Sequence, residues 1–474
     1  MHNKKLPIWV DPKAVFTDLF AAAPAAFWLD TSLPNDEKRF SYMGLPKEII
    51  SYDLQTNTIT IQKDSHITKI TQDIFTYLNR KLQQQAFEDK TLPFPFIGGY
   101  VGYFGYELKA LCGVKNTYQS PYPDSVWFKV EQYIVFDHQE KEVYLACLTK
   151  KKQLADKWFQ DIQKNLLSSR VPHRKSRNLT PQRNLFATDP STRSSVGMTF
   201  SREQQQYLKD IQTAKKYLNK GESYQICLTN TLTKKVTIDP LLLYQTLRKS
   251  NPAPYAAYLR YNDLTVLCSS PEQFLKIDAG GTVTTKPIKG TIARGNTLQE
   301  DILLKKQLAE SKKDWSENAM IIDLLRNDLG KVCTFGSVKV TKPMAIETYQ
   351  TVHQLVSTVQ GKLHKDTSVI DCIKACFPGG SMTGAPKTRT MEIIEKLEKQ
   401  ARGIYSGALG FLSYNKTASL NIVIRTMVMQ KDAVSIGAGG AILIDSDPEK
   451  EYEEMLLKTT ALQNAIQNSL ESEE

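Results

Sequence analysis

The sequence predicts a large α+β fold whose strands pair antiparallel. Strand-like runs come in clusters and neighbour one another as hairpins do, whereas a doubly wound parallel sheet would alternate strand with helix. Helical stretches fall between the clusters with their own start and stop signals. No internal repeat divides the 474 residues, a length that suits one large core or about two to three average domains.

In chain order, "TNTITIQKD" (56–64), the glycine- and tyrosine-rich "FIGGYVGYFGYELKAL" (96–111) and "YIVFDHQEKEVYLACL" (133–148) read as strands with loops, making 1–168 an N-terminal part of the fold. Residues 169–199 are polar, basic and without apolar periodicity, and read as a loop or linker. From 200 to 468 helices and strands are dense. Ser201 and Gln204 have capping-box spacing, and Tyr207, Ile211, Ala214 and Leu218 form an apolar helical stripe that stops at Gly221. A strand over 224–238 follows, then a helix capped by Asp239 with Pro240 in its first turn. "LTVLCSSPEQFLKI" (264–277) and "GTVTTKPI" (281–288) read as one strand each, and 298–329 as one long helix before Gly330. A glycine-rich loop, "FPGGSMTGAPK" (377–387), leads to a helix from Pro386. Three strands follow, "GALGFLSYN", "SLNIVIRTMVMQ" and "AVSIGAGGAILID", and a last helix starts at Pro448.

Composition narrows the function classes. Apolar residues make up 41% and charged residues 23%, as in ordinary globular proteins. The apolar run "AAAPAAFWL" near the N-terminus contains a proline and is far short of the roughly 20 residues a membrane span needs, so neither an anchor nor a signal peptide is expected. Seven cysteines without Cys-x-x-Cys spacing point to free thiols in a reducing, cytoplasmic setting, and Cys372 and Cys376, one helical turn apart, read as buried thiols. Six histidines in no paired motif argue against a transition-metal site. The net charge of +11 is spread along the chain without a nucleic-acid signature, and suits an anionic small molecule or an acidic protein partner as well.

Two acidic pairs have helical spacing: Asp314 with Glu317, and Glu451 with Glu454, the latter behind Asp447 as cap. Carboxylates from two helices can share a magnesium ion, a hard cation that takes oxygen ligands. Solvated helix acids show the same spacing, and Glu454 with Lys458 at i+4 also matches a surface ion pair. "PGGSMTGAPK" departs from the P-loop pattern, so a carboxylate-binding loop and a plain turn both stay open. Lys289 stands in "TTKPIKGTIARG", where a lysine at a strand end ordinarily faces solvent.

Read together, "SSPEQFL", "PIKGTIARG", "SENAMIIDLLRNDLG", "FPGGSMTGAPK", "YSGALGFLSYN", "NIVIRTM" and "IDSDPEKEYEEMLLK" resemble, in order and spacing, the chorismate-using enzymes, a family that includes the large subunits of anthranilate synthase and aminodeoxychorismate synthase. The resemblance covers about 200–460 strongly and the N-terminal part more weakly. It implies two stacked antiparallel β-sheets flanked by helices, with chorismate and Mg²⁺ in a cleft between them. Carried over position by position, it makes Glu317 and Glu454 metal ligands, supported by Asp314 and Glu451. It sets Tyr405, Arg425, Lys458 and the backbone at Gly439 and Gly440 against substrate carboxylates, with Gly290 and Thr291 beside the substrate. Relatives usually carry glycine in place of Ala441, so strain is expected there if that residue needs positive φ.

The resemblance also sorts chemistries. Members that add water use a lysine base where this chain has Gln225, so ammonia is the expected nucleophile. Members resembling anthranilate synthase have alanine where this chain has Lys289, whereas the aminodeoxychorismate-forming branch has lysine there. An ε-amine at that place attacks the ring covalently, which splits one displacement into two. A lysine amine of ordinary pKa, about 10.4, costs on the order of 4 to 5 kcal/mol to neutralise at pH 7, so the pocket must favour the neutral form. Glu272 matches the family's general acid, and His353 the histidine that assists pyruvate elimination in anthranilate synthase. No cysteine lies in a Gly-x-Cys-x-Gly turn, so a separate class I glutamine amidotransferase subunit is expected to supply ammonia, and no fused lyase is expected after the final helix. The segment around Asp30 and Ser41 resembles the family's tryptophan-binding region, so tryptophan is a possible further ligand. The alternatives carried forward are an anthranilate synthase large subunit and a non-catalytic chorismate-binding module.

Overall fold

The computed structural model describes residues 1–34, 38–89, 91–168, 197–349 and 352–473. All but the last three residues of the expected linker 169–199 lie outside that set. Two 12-stranded sheets form the frame, and helices cover their outer faces. Both sheets mix early and late parts of the chain. In the first, Ala25–Asp30 pairs antiparallel with Tyr255–Tyr261; in the second, Gly99–Phe104 pairs antiparallel with Ala408–Ser413. Segments 1–168 and 200–468 therefore build one pair of sheets together.

Side-chain alternation explains the layering. Phe27 points into the core between the sheets, with Tyr42, Val101, Phe128, Leu259 and Phe411, while its neighbour Trp28 points outward against Phe16 and Tyr244. On the far side, Phe104 and Trp127 face the helices Ile74–Gln84 and Val369–Cys376. Strands covered on both faces cannot alternate with polar residues, which is why "AAFWL" and "GYVGYF" are almost continuously apolar. Each large side chain so buried contributes about 1.5–3 kcal/mol. Gly102 has to be glycine: a Cβ there would lie 1.9 Å from the Val126 carbonyl oxygen.

Several expected elements differ. The 264–277 run is two strands in different sheets, Leu264–Ser270 in the first and Gln273–Ile277 in the second, because Pro271 cannot donate to a ladder and the chain crosses over there. The 419–430 run divides likewise into Ala418–Ile422 and Thr426–Gln430, with Arg425 at φ 51° in the crossing. The long helix is two, Leu298–Ala309 and Lys312–Gly330: the Ser311 hydroxyl accepts from the Asp314 N–H to start the second, and Trp315 Nε1 donates to the Ala309 carbonyl at the end of the first. Ser201 makes no capping box. Its hydroxyl is drawn to Asn230, and the helix Gln204–Asn219 starts without a side-chain cap. The caps at Asp239 and Asp447 form as expected, accepting from Leu241 and Lys450 N–H groups. Ala441 lies in a regular strand opposite Cys227, outside the positive-φ residues, so the expected strain is absent. All seven cysteines are free thiols, and among the described residues no helix is long and apolar enough to cross a membrane.

Candidate active site

The two sheet crossings run side by side. Cys268 pairs with Thr426 in one sheet and Gln273 with Asn421 in the other, so Glu272 and Arg425 sit in adjacent bridges between the sheets. The bridges are tied together: Ile422 N–H donates to the Glu272 carbonyl, the Ser270 hydroxyl to the Ile422 carbonyl, and Ser269 N–H to the Arg425 carbonyl. Arg425 Nη1 donates to the Lys458 carbonyl at 2.7 Å. Phe274, Ile321, Leu325 and Ile422 line a small cavity at Glu272. Burial pushes the Glu272 carboxyl up to about 7, against the opposing pull of the Ser381 hydrogen bond and the charges of Lys289 and Lys458.

Lys289 lies on a β-bulge. The strand Ile288–Ala293 slips one residue against Val352–Lys362 between Ile288 and Thr291, which re-aims the lysine side chain. Gly290 makes the bulge possible at φ 84°; a Cβ there would stand 2.8 Å from Asp314 Cγ on the adjoining helix. Lys289 Nζ lies 3.3 Å from Glu317 Oε2, with only 13% of its side chain exposed. Thr291, beside it, accepts from Gln354 Nε2.

The second acidic helix, Pro448–Leu457, meets the first across this space. Glu451 accepts from the Ser446 hydroxyl and has its other oxygen against Gly440, while Lys458 Nζ sits 2.8 Å from both Glu454 Oε1 and the Gly439 carbonyl. One lysine that the sequence reading passed over links the two helices: Lys313 Nζ is 4.0 Å from Glu317 Oε1 and 3.5 Å from Glu451 Oε1. Burial opposes its charge, but attraction to Glu451, Glu317 and Glu454 outweighs that and holds its pKa above the ordinary lysine value. Its spacing four residues before Glu317 was the available signal.

Among the described residues no three carboxylate, histidine or cysteine side chains form a ready cage for a metal. Mg²⁺ does not need one, because it binds through one or two carboxylates and completes its shell with waters and substrate oxygens. An all-oxygen set on two facing helices, close enough to share a lysine ammonium, suits such an ion in chemistry and in charge.

The remaining expected residues fall around this cleft or away from it. The buried ring of Tyr405 lies on Gly437, where a Cβ would come within 2.2 Å of it, and Arg425 is among the charges acting on it. Gln225 is 1% exposed, and neither side-chain amide atom has a hydrogen-bond partner. Cys227, two residues on and hence on the same strand face, feels the charges of Lys289 and Lys458, so that face looks toward the lysines. His353 is fully buried, with Nε2 donating to Asp301 and Nδ1 hydrogen-bonded to the Thr348 hydroxyl. It ties the helix Leu298–Ala309 to the sheet. Asp30, opposite Ala256 in the first sheet, is held by Arg248, Tyr244 and Ser41, and Ser41 also bonds His138, whose pKa burial lowers to about 4.

Two stacked antiparallel sheets with paired carboxylates and lysines between two helices are the arrangement that the resemblance to the chorismate-using enzymes implies. The chain belongs to the chorismate binding enzyme family, whose model matches residues 25–464. It is 42% identical to the chloroplastic aminodeoxychorismate synthase of Arabidopsis thaliana, over 95% of this chain and 52% of that protein. With aminodeoxychorismate synthase component 1 of Bacillus subtilis it shares 35% identity over 79% of this chain and 78% of the other. The crystal structure of anthranilate synthase component I from Streptococcus pneumoniae matches with a TM-score of 0.74 at 26% identity, covering 96% of this chain and 97% of that one. The chain thus spans about half the length of the Arabidopsis relative.

Proposed function

We propose that the chain is the synthase component of an aminodeoxychorismate synthase, converting chorismate and ammonia to 4-amino-4-deoxychorismate and water, on the way to p-aminobenzoate and folate. The observation that carries this reading is Lys289, aimed by a glycine bulge at the acidic cleft and facing Glu317. Two relatives that bear the aminodeoxychorismate synthase name support it.

In the proposed reaction Lys289, paired with Glu317 before substrate binds, first gives a proton to solvent; its neutral amine then bonds to the ring and the C4 hydroxyl leaves, taking the proton of Glu272. Burial keeps that acid about half protonated near neutral pH. Ammonia then bonds at C4, the bond to Lys289 breaks and frees its amine, and the surplus proton on the new nitrogen returns to Glu272, restoring the acid. Gln225 cannot deprotonate water, and its unpartnered amide is a group an ammonia molecule can satisfy. Tyr405, Arg425 and the backbone at Gly439 and Gly440 hold the enolpyruvyl carboxylate, Lys458 approaches a substrate carboxylate, and Gly290 and Thr291 lie beside the ring. Glu317 and Glu454, backed by Asp314 and Glu451, would hold Mg²⁺, which supplies charge to fix the other carboxylate. His353 positions the helix Leu298–Ala309 beside the strand that carries Lys289. A separate glutaminase subunit supplies ammonia, tryptophan is a candidate ligand near Asp30 and Ser41, and the free thiols fit a cytoplasmic setting.

The likeness to an anthranilate synthase structure favours a second reading, the anthranilate-forming reaction. One assay separates them: chorismate, ammonium salt and Mg²⁺, followed by a lyase. p-Aminobenzoate appearing only after the lyase supports the proposal. Fluorescent anthranilate without lyase would replace it, and chorismate binding without turnover would leave a non-catalytic module.

A further inference from the structure

Glu317 has both carboxylate oxygens occupied by lysines: Oε2 faces Lys289 at 3.3 Å and Oε1 faces Lys313 at 4.0 Å. The two cations differ in how easily they can leave. The Lys289 side chain is 13% exposed and stands on a bulge, whereas that of Lys313 is 55% exposed on a helix surface. Lys313 also reaches across to Glu451, whose side chain is 4% exposed and belongs to the opposite helix. An ordinary i,i+4 ion pair would end at Glu317. Here one ammonium offsets the repulsion between buried carboxylates from two helices, as a bound cation would.

We propose that Lys313 is a tethered counter-cation that competes with a divalent ion for the Glu317 and Glu451 carboxylates and swings into solvent when that ion binds. The inference rests on the reading of these acids as the metal site. By it, Lys313 holds the two helices in register before the ion arrives and sets how tightly the ion is held. Lys289 stays in place through the exchange because its side chain is largely buried.

The test is Mn²⁺ binding to the whole chain without substrate, followed by electron paramagnetic resonance of the free ion. Lys313→Met keeps the stem and removes the charge, and should tighten Mn²⁺ by about fivefold to tenfold, the equivalent of one or two partly exposed ion pairs. Lys312→Met, the same charge change at the exposed neighbouring position, should leave the Kd within about twofold. Unchanged or weaker binding by Lys313→Met overturns the proposal, as does equal tightening in both variants, which would make it a general field effect. If the unsubstituted chain binds no Mn²⁺ yet still yields p-aminobenzoate in the lyase assay, the competition is refuted while the amination reading stands.

Discussion

Two charged clusters lie within a strand's length of each other, and they are built on opposite principles. In the first, the buried Arg402 guanidinium donates to both oxygens of Glu398 and to the carbonyls of Met382 and Cys227, and Glu398 also accepts from the N–H and hydroxyl of Thr229. Glu107 closes the network by accepting from the N–H groups of Arg402 and Gly403. In the second, Lys289, Lys313 and Lys458 face carboxylates singly, and Gln225 faces no protein partner at all. Completed networks fix a structure; incomplete ones leave bonding capacity for a ligand. The same strand serves both, since the Cys227 carbonyl belongs to the knot while Gln225, two residues earlier, belongs to the cleft.

The largest effect that would break this contrast is on turnover. Lys289→Ala should lower amination by at least about a thousandfold, the scale of losing a covalent nucleophile, while thermal unfolding stays nearly unchanged. Amination at an undiminished rate would leave Lys289 as the ion-pair partner of Glu317 and no more. Next in size is the knot. Arg402→Met strands Glu398 as a buried, unpaired charge and should cost about 3–5 kcal/mol in stability, read by urea unfolding. If stability holds and only activity falls, the two clusters are not functionally distinct.

Burial raises both Glu107 and Glu272 to about 7, but their protons do different things. For each, the folded pKa lies above the unfolded value, so the native state binds the extra proton between about pH 4.5 and 7. The stability this brings is complete below that window and is lost as pH rises through 7. Glu272 additionally donates its proton to the leaving group, so kcat should drop about tenfold between pH 6 and 8 on its account. Glu107→Gln should flatten the pH dependence of unfolding and leave that of kcat alone; Glu272→Gln should lower kcat and remove its alkaline limb. A Glu107 variant that moves the kcat profile would merge the two clusters.

How far the sequence disclosed these clusters follows from what its patterns encode. Strand positions were legible because two-sided burial forces apolar runs, and the caps at Asp239 and Asp447 because a short oxygen side chain before proline has few other uses. The crossings at Pro271–Glu272 and Val423–Arg425 were not, since strands buried on both faces read alike whichever sheet they join. The break at Ser311 carried a cap signal inside an otherwise helical stretch, and the composition on either side hid it. Glu272, Arg425, Lys289 and the acidic pairs were singled out by resemblance. The structure adds why they meet: two crossings, a bulge and two helix starts converge on one space. Lys313 carried only its spacing to Glu317 and the Arg402 knot only its spacing to Glu398, and a pair at i,i+4 looks the same whether exposed or buried.

The smallest effect is the most specific test of incompleteness. A buried amide without partners loses about 1–3 kcal/mol relative to one that is bonded, so Gln225 should be replaced by apolar residues over time unless something satisfies it. If that something is ammonia, Gln225→Leu removes one neutral hydrogen bond, about 1 kcal/mol, from the bound nucleophile and nothing from chorismate. The KM for ammonium should therefore rise about fivefold while the KM for chorismate stays within about twofold, and unfolding stability should hold or improve slightly because the orphan amide is gone. A structural role predicts the reverse, with lower stability and both constants moving together. A leucine variant with unaltered ammonium dependence would mean that the amide meets an ordered water, and the cleft would lose the feature that most separates it from the knot.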